Sequence, residues 1–599
     1  MPINPASPLA SLATARLSGV PHTRVRALVF RAKAAGLQLA RAARDLRGGP
    51  RRHPRGDALA STPVLAEAVA ELWTEDRAEE RPLVLGKIHN LRLALRRIHG
   101  AEIPAGAVFS FWAQVGRASR RRGFVPGREL REGCLVPSAG GGLCQLSNAL
   151  YQAALAAGCE IVERHPHSRP VPGSQAEHGR DATVFWNYVD LRFRAPGPLR
   201  VEAWMDAGAL TVRLRGVRAG AAVAPAPARV RTLRVLGGGP RSCASCGEQG
   251  CFRHVDPADE PVTARTAQLV DAWWPEFDRY LAETRREGDV LAIPLDGRRF
   301  RKPQYAWTTA GAARVHQSWR VTLLRAWRSR RLAAQGAGRQ RALLAAAAAL
   351  AESQAAALRW DVTHVVVAQN LLPYLWRAGH LGGRTFDVLM SAPPMAELHE
   401  RLDAAARLHP ASRTLADFRA DDALVRDEAA ALGWARRIIT PHADVAALFP
   451  GRAERLDWTA PAPAPRTPRR NRGPRPRIVF PGPTAGRKGA YELRDALAGL
   501  DADLVAMGSR LEGPGFWDGV ALAPPEASWL DCADLVVLPA FVENQPRRLL
   551  AALAAGIPVV ATPACGIAPR PGLTLVAAGD VPALRTAIGA VLEARAATA

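Results

Sequence analysis

From residue 261 onward the chain alternates short apolar runs with long amphipathic ones, and this alternation limits its fold more than any other feature. Asp289–Leu295, His364–Ala368 and Phe386–Met390 are too continuously apolar for strands wetted on one face, and read as strands buried on both. Gln340–Leu358 and Ala423–Leu432 carry helical spacing between such runs, the second leading into Arg437-Ile438-Ile439-Thr440-Pro441. Strands separated by helices run parallel, which predicts a doubly wound sheet. Thr459–Pro476, with six prolines, predicts an extended linker. The pattern then restarts: Arg477–Phe480 as strand, Pro481–Gly489 as turn and Ala490–Leu500 as helix. Asp503–Met507, Asp534–Leu538, Pro558–Ala561 and Leu573–Val576 supply further strands, and Arg547–Ala555 a helix. Two doubly wound lobes, 261–458 and 477–599, place a ligand in the cleft at the carboxyl ends of their strands.

Within this region Gly486-Arg487-Lys488-Gly489, Ala533–Pro539, and Glu543-Asn544-Gln545-Pro546 running on to Leu550–Val560 resemble the retaining, nucleotide-sugar-dependent glycosyltransferases of the GT-B fold. The resemblance covers about residues 275–599. It implies that Arg487 and Lys488, ahead of a helix, clamp the donor diphosphate, as cations at a helix N-terminus should. It also implies that Glu543 faces the transferred sugar, with Asn544 beside it in the donor site. The family pairs the first acidic residue with a second, eight positions on, that contacts the ribose; here Ala551 stands there. A missing carboxylate removes a charged-group hydrogen bond worth roughly 1.5–3 kcal/mol, so a noncatalytic lobe is the alternative.

Upstream, Gly140-Gly141-Gly142 delivers Cys144 onto an apolar helix continuing through Ser147, Leu150 and Ala154. Glycines permit φ > 0 and close backbone approach, and a thiol at a helix N-terminus gains from the macrodipole, which favours thiolate. Glu163-Arg164-His165-Pro166-His167-Ser168 and Asp181-Ala182-Thr183 follow. Cys144 with His165 or His167, oriented by Asp181, is therefore a candidate nucleophile, base and carboxylate; the alternative is a buried structural thiol. These motifs, with Lys87, Asn90, Pro104–Phe111, Val115-Gly116 and Gly123, resemble the VanW family over residues 82–216. The resemblance implies an envelope-associated protein and, from some members, L,D-transpeptidase-like acyl transfer on cell-wall precursors. Val184–Phe193 and Leu210–Leu214 alternate as half-buried strands, so this region reads as α+β with one clear helix.

Residues 217–260 read as a linker holding Cys243, Cys246, Cys251 and His254 in a C-x2-C-x4-C-x2-H arrangement. Tetrahedral zinc takes four such ligands, which predicts a structural Zn²⁺; reduced thiols or a redox pair are the alternatives. Residues 1–80 form a basic arm, helical over Arg24–Arg47, that suits either packing on the next domain or peripheral contact with an anionic membrane. The net charge of +25 is not read as a nucleic-acid signature, because only four of the 80 basic residues are lysine and no nucleic-acid module spacing occurs. The first fifty residues lack the apolar core of an export signal, so the expected location is cytoplasmic, with or without membrane association. The expected function is glycosyl transfer from a nucleotide sugar to a cell-envelope precursor or glycan, in envelope biosynthesis or glycopeptide resistance. A Cys144-dependent acyltransferase and a noncatalytic precursor-binding scaffold are its rivals.

Overall fold

The computed structural model describes residues 23–597 except 74, 76, 132–133, 168–180, 218–227, 233–241, 244, 247–250, 254–263, 333–335, 418, 462–474 and 525–527. It divides into two units: residues 1–265 with 358–363 and 378–385, and residues 266–357, 364–377 and 386–599.

In the first unit, α1 (Arg24–Leu46) begins at Thr23, whose Oγ accepts from the Arg26 N–H at 3.3 Å. It is a packed helix: Gln38 Nε2 donates to Trp186 O at 2.5 Å, Arg41 pairs with Glu163, and Arg192 Nη2 reaches Asp45 Oδ2 at 2.9 Å. There follow β1 (Val64–Glu71), α2 (Arg81–Ile98), β2 (Ala101–Ile103), β3 (Val108–Ser110), α3 (Phe111–Val115), β4 (Pro126–Arg131), β5 (Cys134–Ala139) and α4 (Cys144–Ala156). After them come β6 (Glu160–Glu163), β7 (Arg192–Arg194), β8 (Leu199–Met205), β9 (Ala209–Gly216) and β10 (Ala228–Thr232). The main sheet has the order β10-β1-β9-β8-β2, antiparallel except for β1 with β10. Val84, Ile88, Leu91, Leu95 and Ile98 of α2 and Leu146, Leu150, Ala153 and Ala154 of α4 join the buried core of this sheet, the α+β arrangement expected.

Two local expectations need correction. The region has a second long helix, α2, beside the one at Cys144. Val184–Phe193 is not one strand either: only Arg192–Arg194 pairs, and Phe185 and Val189 close a tight turn through N–H to O bonds of 2.9 and 3.1 Å. Its alternation comes from aromatic packing, Trp186 on Trp112 with centroids 5.4 Å apart and Phe185 on Phe30 at 6.1 Å.

The second region contains β11 (Arg265–Leu269), α5 (Pro275–Thr284), β12 (Val290–Ile293), β13 (Arg314–Gln317), α6 (Trp319–Arg331), α7 (Gly336–Gln354) and β14 (Val362–Ala368). It continues with α8 (Leu372–Arg377), β15 (Thr385–Leu389), α9 (Met395–Leu408), α10 (Asp422–Trp434), β16 (Arg437–Thr440), α11 (Ala443–Ala447) and β17 (Ala453–Arg455). Its sheet has the order β13-β12-β11-β14-β15-β16-β17. The last lobe has β18 (Arg477–Phe480), α12 (Ala490–Leu497), β19 (Asp503–Ala506), α13 (Trp529–Cys532), β20 (Leu535–Leu538), α14 (Arg547–Ala554), β21 (Val559–Ala561), β22 (Leu573–Leu575) and α15 (Val581–Ala597). Its sheet, β19-β18-β20-β21-β22, is parallel throughout. Strand order reverses between β18 and β20, so the loops leaving those two strands flank a topological switch point. Ile478, Val479, Phe480 and Leu535–Leu538 are almost wholly buried, as strands covered by helices on both faces must be.

Candidate functional site

The glycine run ahead of α4 is dictated by crowding. Gly142 has φ +97°, and a Cβ there would stand 2.2 Å from Lys87 Cγ; a Cβ on Gly141 would stand 2.3 Å from Gly127 O. Asn90 of α2 fixes the run, donating from Nδ2 to Gly141 O at 3.0 Å and to Val125 O at 2.9 Å. Lys87 is buried beneath it and donates to Leu72 O at 2.7 Å; burial pushes its pKa down to about 7. Cys144 thereby opens α4 half-buried, its Sγ donating to Val184 O at 3.8 Å.

Of the two candidate histidines, the structure brings His167 to the thiol. Its ring Nδ1 bonds Asp181 Oδ2, its N–H donates to the same oxygen at 2.7 Å, and the ring lies near enough to Cys144 to interact with it electrostatically. Burial opposes its charge, yet its interactions with Cys144 and Asp181 win and lift its pKa to about 9. His165 turns away to Glu163 Oε1 at 3.1 Å and is half exposed. Asp181 is 1% exposed; burial works against its carboxylate, but the His167 bonds and Arg164, whose Nη2 is 3.0 Å from Oδ1, hold its pKa below the usual range. Asn148 Oδ1 on α4 accepts from Ala182 N–H at 2.7 Å and ties this strand of chain to the cysteine's helix. A cysteine, a histidine and a carboxylate in contact can form a thiolate–imidazolium pair and perform acyl transfer.

The second assembly surrounds the switch point of the last sheet. After β18 the chain makes a 3₁₀ turn over Gly486–Lys488 and enters α12 through Gly489, φ +74°, where a Cβ would stand 2.1 Å from Pro539 O. Lys488 Nζ donates to Glu543 Oε2 at 2.7 Å and to Val542 O at 3.0 Å, so two of the four matched residues form one ion pair between a buried lysine and a largely buried glutamate. Burial lowers the pKa of Lys488 and of Arg487; on Glu543 burial is outweighed by Lys488, and its pKa falls. Arg487 O accepts from the N–H groups of Phe541 and Val542, which fastens the two loops together. Asn544 Oδ1 is buried with no hydrogen-bond partner.

His442, outside the motifs that mark the site in the sequence, reaches it from the loop after β16. Its Nε2 donates to Glu543 O at 2.8 Å, its Nδ1 is buried with no partner, and burial lowers its pKa. A histidine just beyond the carboxyl end of a parallel strand was the available signal. Ala551 lies on α14, one turn past Arg547, whose Nη1 and Nη2 each meet a Glu276 oxygen at 2.6 Å. Trp274 and Trp458 face that guanidinium at 5.6 and 5.3 Å.

The described residues do not assemble the expected zinc site. No group of three or more His, Cys, Asp or Glu among them is placed to hold a metal ion, and His254 lies outside them. Cys246 Sγ donates to Cys243 O at 3.8 Å, Cys251 Sγ accepts from Arg253 N–H at 3.4 Å, and burial followed by the neighbouring thiols of Cys134, Cys246 and Cys251 pushes Cys243 up to about 11.

Residues 86–215 match the family model described as VanW like protein, and residues 475–594 match that of glycosyl transferases group 1. The chain joins these two domains. Over 128 residues it is 34% identical to the uncharacterized protein YoaR of Bacillus subtilis, covering 21% of this chain and 42% of that one. Over 145 residues it is 33% identical to the vancomycin B-type resistance protein VanW of Enterococcus faecalis, covering 24% and 53%. The chain thus spans about half the length of the curated relatives it matches. Among solved structures it is similar to sucrose-phosphate synthase from Thermosynechococcus elongatus (TM-score 0.37, 14% identity, 55% of this chain and 90% of that one). It is also similar to Anabaena HepE in complex with UDP and glucose (TM-score 0.32, 14% identity, 55% and 90%). The glycosyl transferase domain contains Arg487, Lys488, Glu543, Asn544 and Ala551, and the VanW like domain contains Cys144, His165, His167 and Asp181. No helix of the described residues is long and apolar enough to cross a membrane.

Proposed function

We propose that the glycosyl transferase domain moves a sugar from a nucleotide sugar to an acceptor, with retention of configuration. Arg487 and Lys488 would take the diphosphate, Lys488 exchanging part of its pairing with Glu543 for the phosphate oxygens. Glu543 would then be released to accept from sugar hydroxyls, with Asn544 Oδ1 and His442 Nδ1 accepting from others. The observation that carries this reading is the Lys488–Glu543 pair at the switch point beside two buried, unpartnered acceptors, since a buried polar atom without a partner costs about 1–3 kcal/mol that a ligand hydroxyl can recover. The similarity of the VanW like domain to a vancomycin resistance protein makes a cell-envelope precursor the acceptor class to try first. A thermal-shift screen against nucleotide sugars tests the reading: at least one should raise the melting temperature by mass action, and indifference to all of them would leave a scaffold.

A second reading belongs to the VanW like domain, where the contact of Cys144, His167 and Asp181 supports a thiol acyltransferase. The Cys144 sulfur would form a C–S bond to an acyl carbonyl while His167 gives its proton to the departing amine. An acceptor amine would then break that thioester, returning its proton to His167. Intact-mass detection of a Cys144 acyl adduct with an acyl-donor peptide, lost in Cys144→Ser, is the test.

A further inference from the structure

Helix α6, Trp319–Arg331, has two faces of opposite purpose. Inward, Thr322 Oγ1 donates to Pro294 O at 3.0 Å, and Arg325 Nη1 pairs with Asp271 Oδ1 at 2.5 Å. Outward, Trp319, Leu323 and Trp327 follow one another at helical spacing, with Leu324 beside them, each 46% exposed or more. Arg320, Arg328, Arg330 and Arg331 share this half of the helix, which has no acidic residue anywhere along it. Two guanidiniums lie over the tryptophans, Arg320 over Trp319 at 5.1 Å and Arg331 over Trp327 at 4.9 Å.

The preceding loop continues the same chemistry. Phe300 is half exposed between Arg298, Arg299, Arg301 and Lys302. Asp296 N–H donates to Gln317 Oε1 at 3.2 Å, which holds the start of that loop against the residue two positions before α6.

We propose that the outward face of α6, with the Phe300 loop, is a docking surface for an anionic lipid bilayer. Its apolar members are tryptophan and leucine on the helix and Phe300 on the loop, side chains that enter the headgroup and upper acyl region, and the charged members of the helix are all cationic. Charge complementarity selects the occupant: a leaflet rich in anionic lipid meets four outward arginines of one helix, Arg320, Arg328, Arg330 and Arg331, with no carboxylate along it. This contact is peripheral, and it stands whether or not the donor site transfers a sugar.

Co-sedimentation of the full chain with phosphatidylcholine vesicles, with and without phosphatidylglycerol, tests it. The wild type should pellet with the anionic vesicles, weakly or not at all with pure phosphatidylcholine, and less as salt rises. Combined Trp319→Ser, Leu323→Ser and Trp327→Ser leaves the charge unchanged and should lower the partition coefficient by about tenfold or more. Arg320→Glu with Arg328→Glu should do so as well, and circular dichroism reports whether each variant folds. Quenching of wild-type tryptophan fluorescence by phosphatidylglycerol with brominated acyl chains gives a readout that needs no variant. Absence of both pelleting and quenching in the wild type overturns the proposal. So does binding that survives the α6 changes and disappears in Leu28→Ser/Leu39→Ser on α1, or a wild-type dimer in sedimentation equilibrium that the α6 serines convert to monomer.

Discussion

His167 is the residue on which the thiol site turns. Its folded pKa of about 9 lies above the unfolded value of about 6.5, so its interactions with Cys144 and Asp181 stabilise the fold fully below about pH 6.5. That contribution is lost as pH rises through about 9. The urea midpoint should therefore fall between pH 6 and pH 10, and by less in His167→Ala than in the wild type. The same variant should slow iodoacetamide alkylation of Cys144 at pH 7 by roughly tenfold, because the cationic ring near the sulfur is gone; His165→Ala should not. Composition and order alone named Cys144 and Asp181, but the choice between His165 and His167 was illegible in sequence. It depends on Asp181 accepting both the backbone and the ring of His167 while Glu163 captures His165.

At the scale of elements, buried parallel strands were easy to read, since Arg477–Phe480 and Leu535–Leu538 have no wet face to alternate. Val184–Phe193 misled because aromatic residues placed for packing in a turn copy the period of a strand. Helix α2 went unread because residues 81–98 mix its apolar stripe with Lys87, Asn90, Arg92 and Arg96, three of which are themselves buried. The turn into α12 gives a prediction at this scale. Gly489→Ala meets both a left-handed φ and the Pro539 carbonyl, and should destabilise the protein by about 1–3 kcal/mol in urea unfolding. Helix α14 gives another: Glu276 is wholly buried and its partner is Arg547, so Glu276→Ala should cost about 3–5 kcal/mol by the same measurement.

On the scale of the whole molecule, two side-chain clusters share one chain, a thiol with its histidine in a VanW like domain and a cation–carboxylate pair in a glycosyl transferase domain. The sequence pointed to both because each draws on short local motifs, Gly140–Gln145 with Glu163–Ser168 in one and Gly486–Gly489 with Glu543–Pro546 in the other. It hid His442 and the Arg547–Glu276 pair, which are assembled from segments over a hundred residues apart. Arg487, Lys488 and Glu543 are proposed to form a nucleotide-sugar site, and calorimetric titration of wild type and Lys488→Ala with a panel of nucleotide sugars tests that role. At least one donor should bind the wild type, and Lys488→Ala should weaken it by about 1.5–3 kcal/mol, the value of a charge-assisted hydrogen bond. Equal affinity in the two proteins, or heat from neither with any donor, would contradict it.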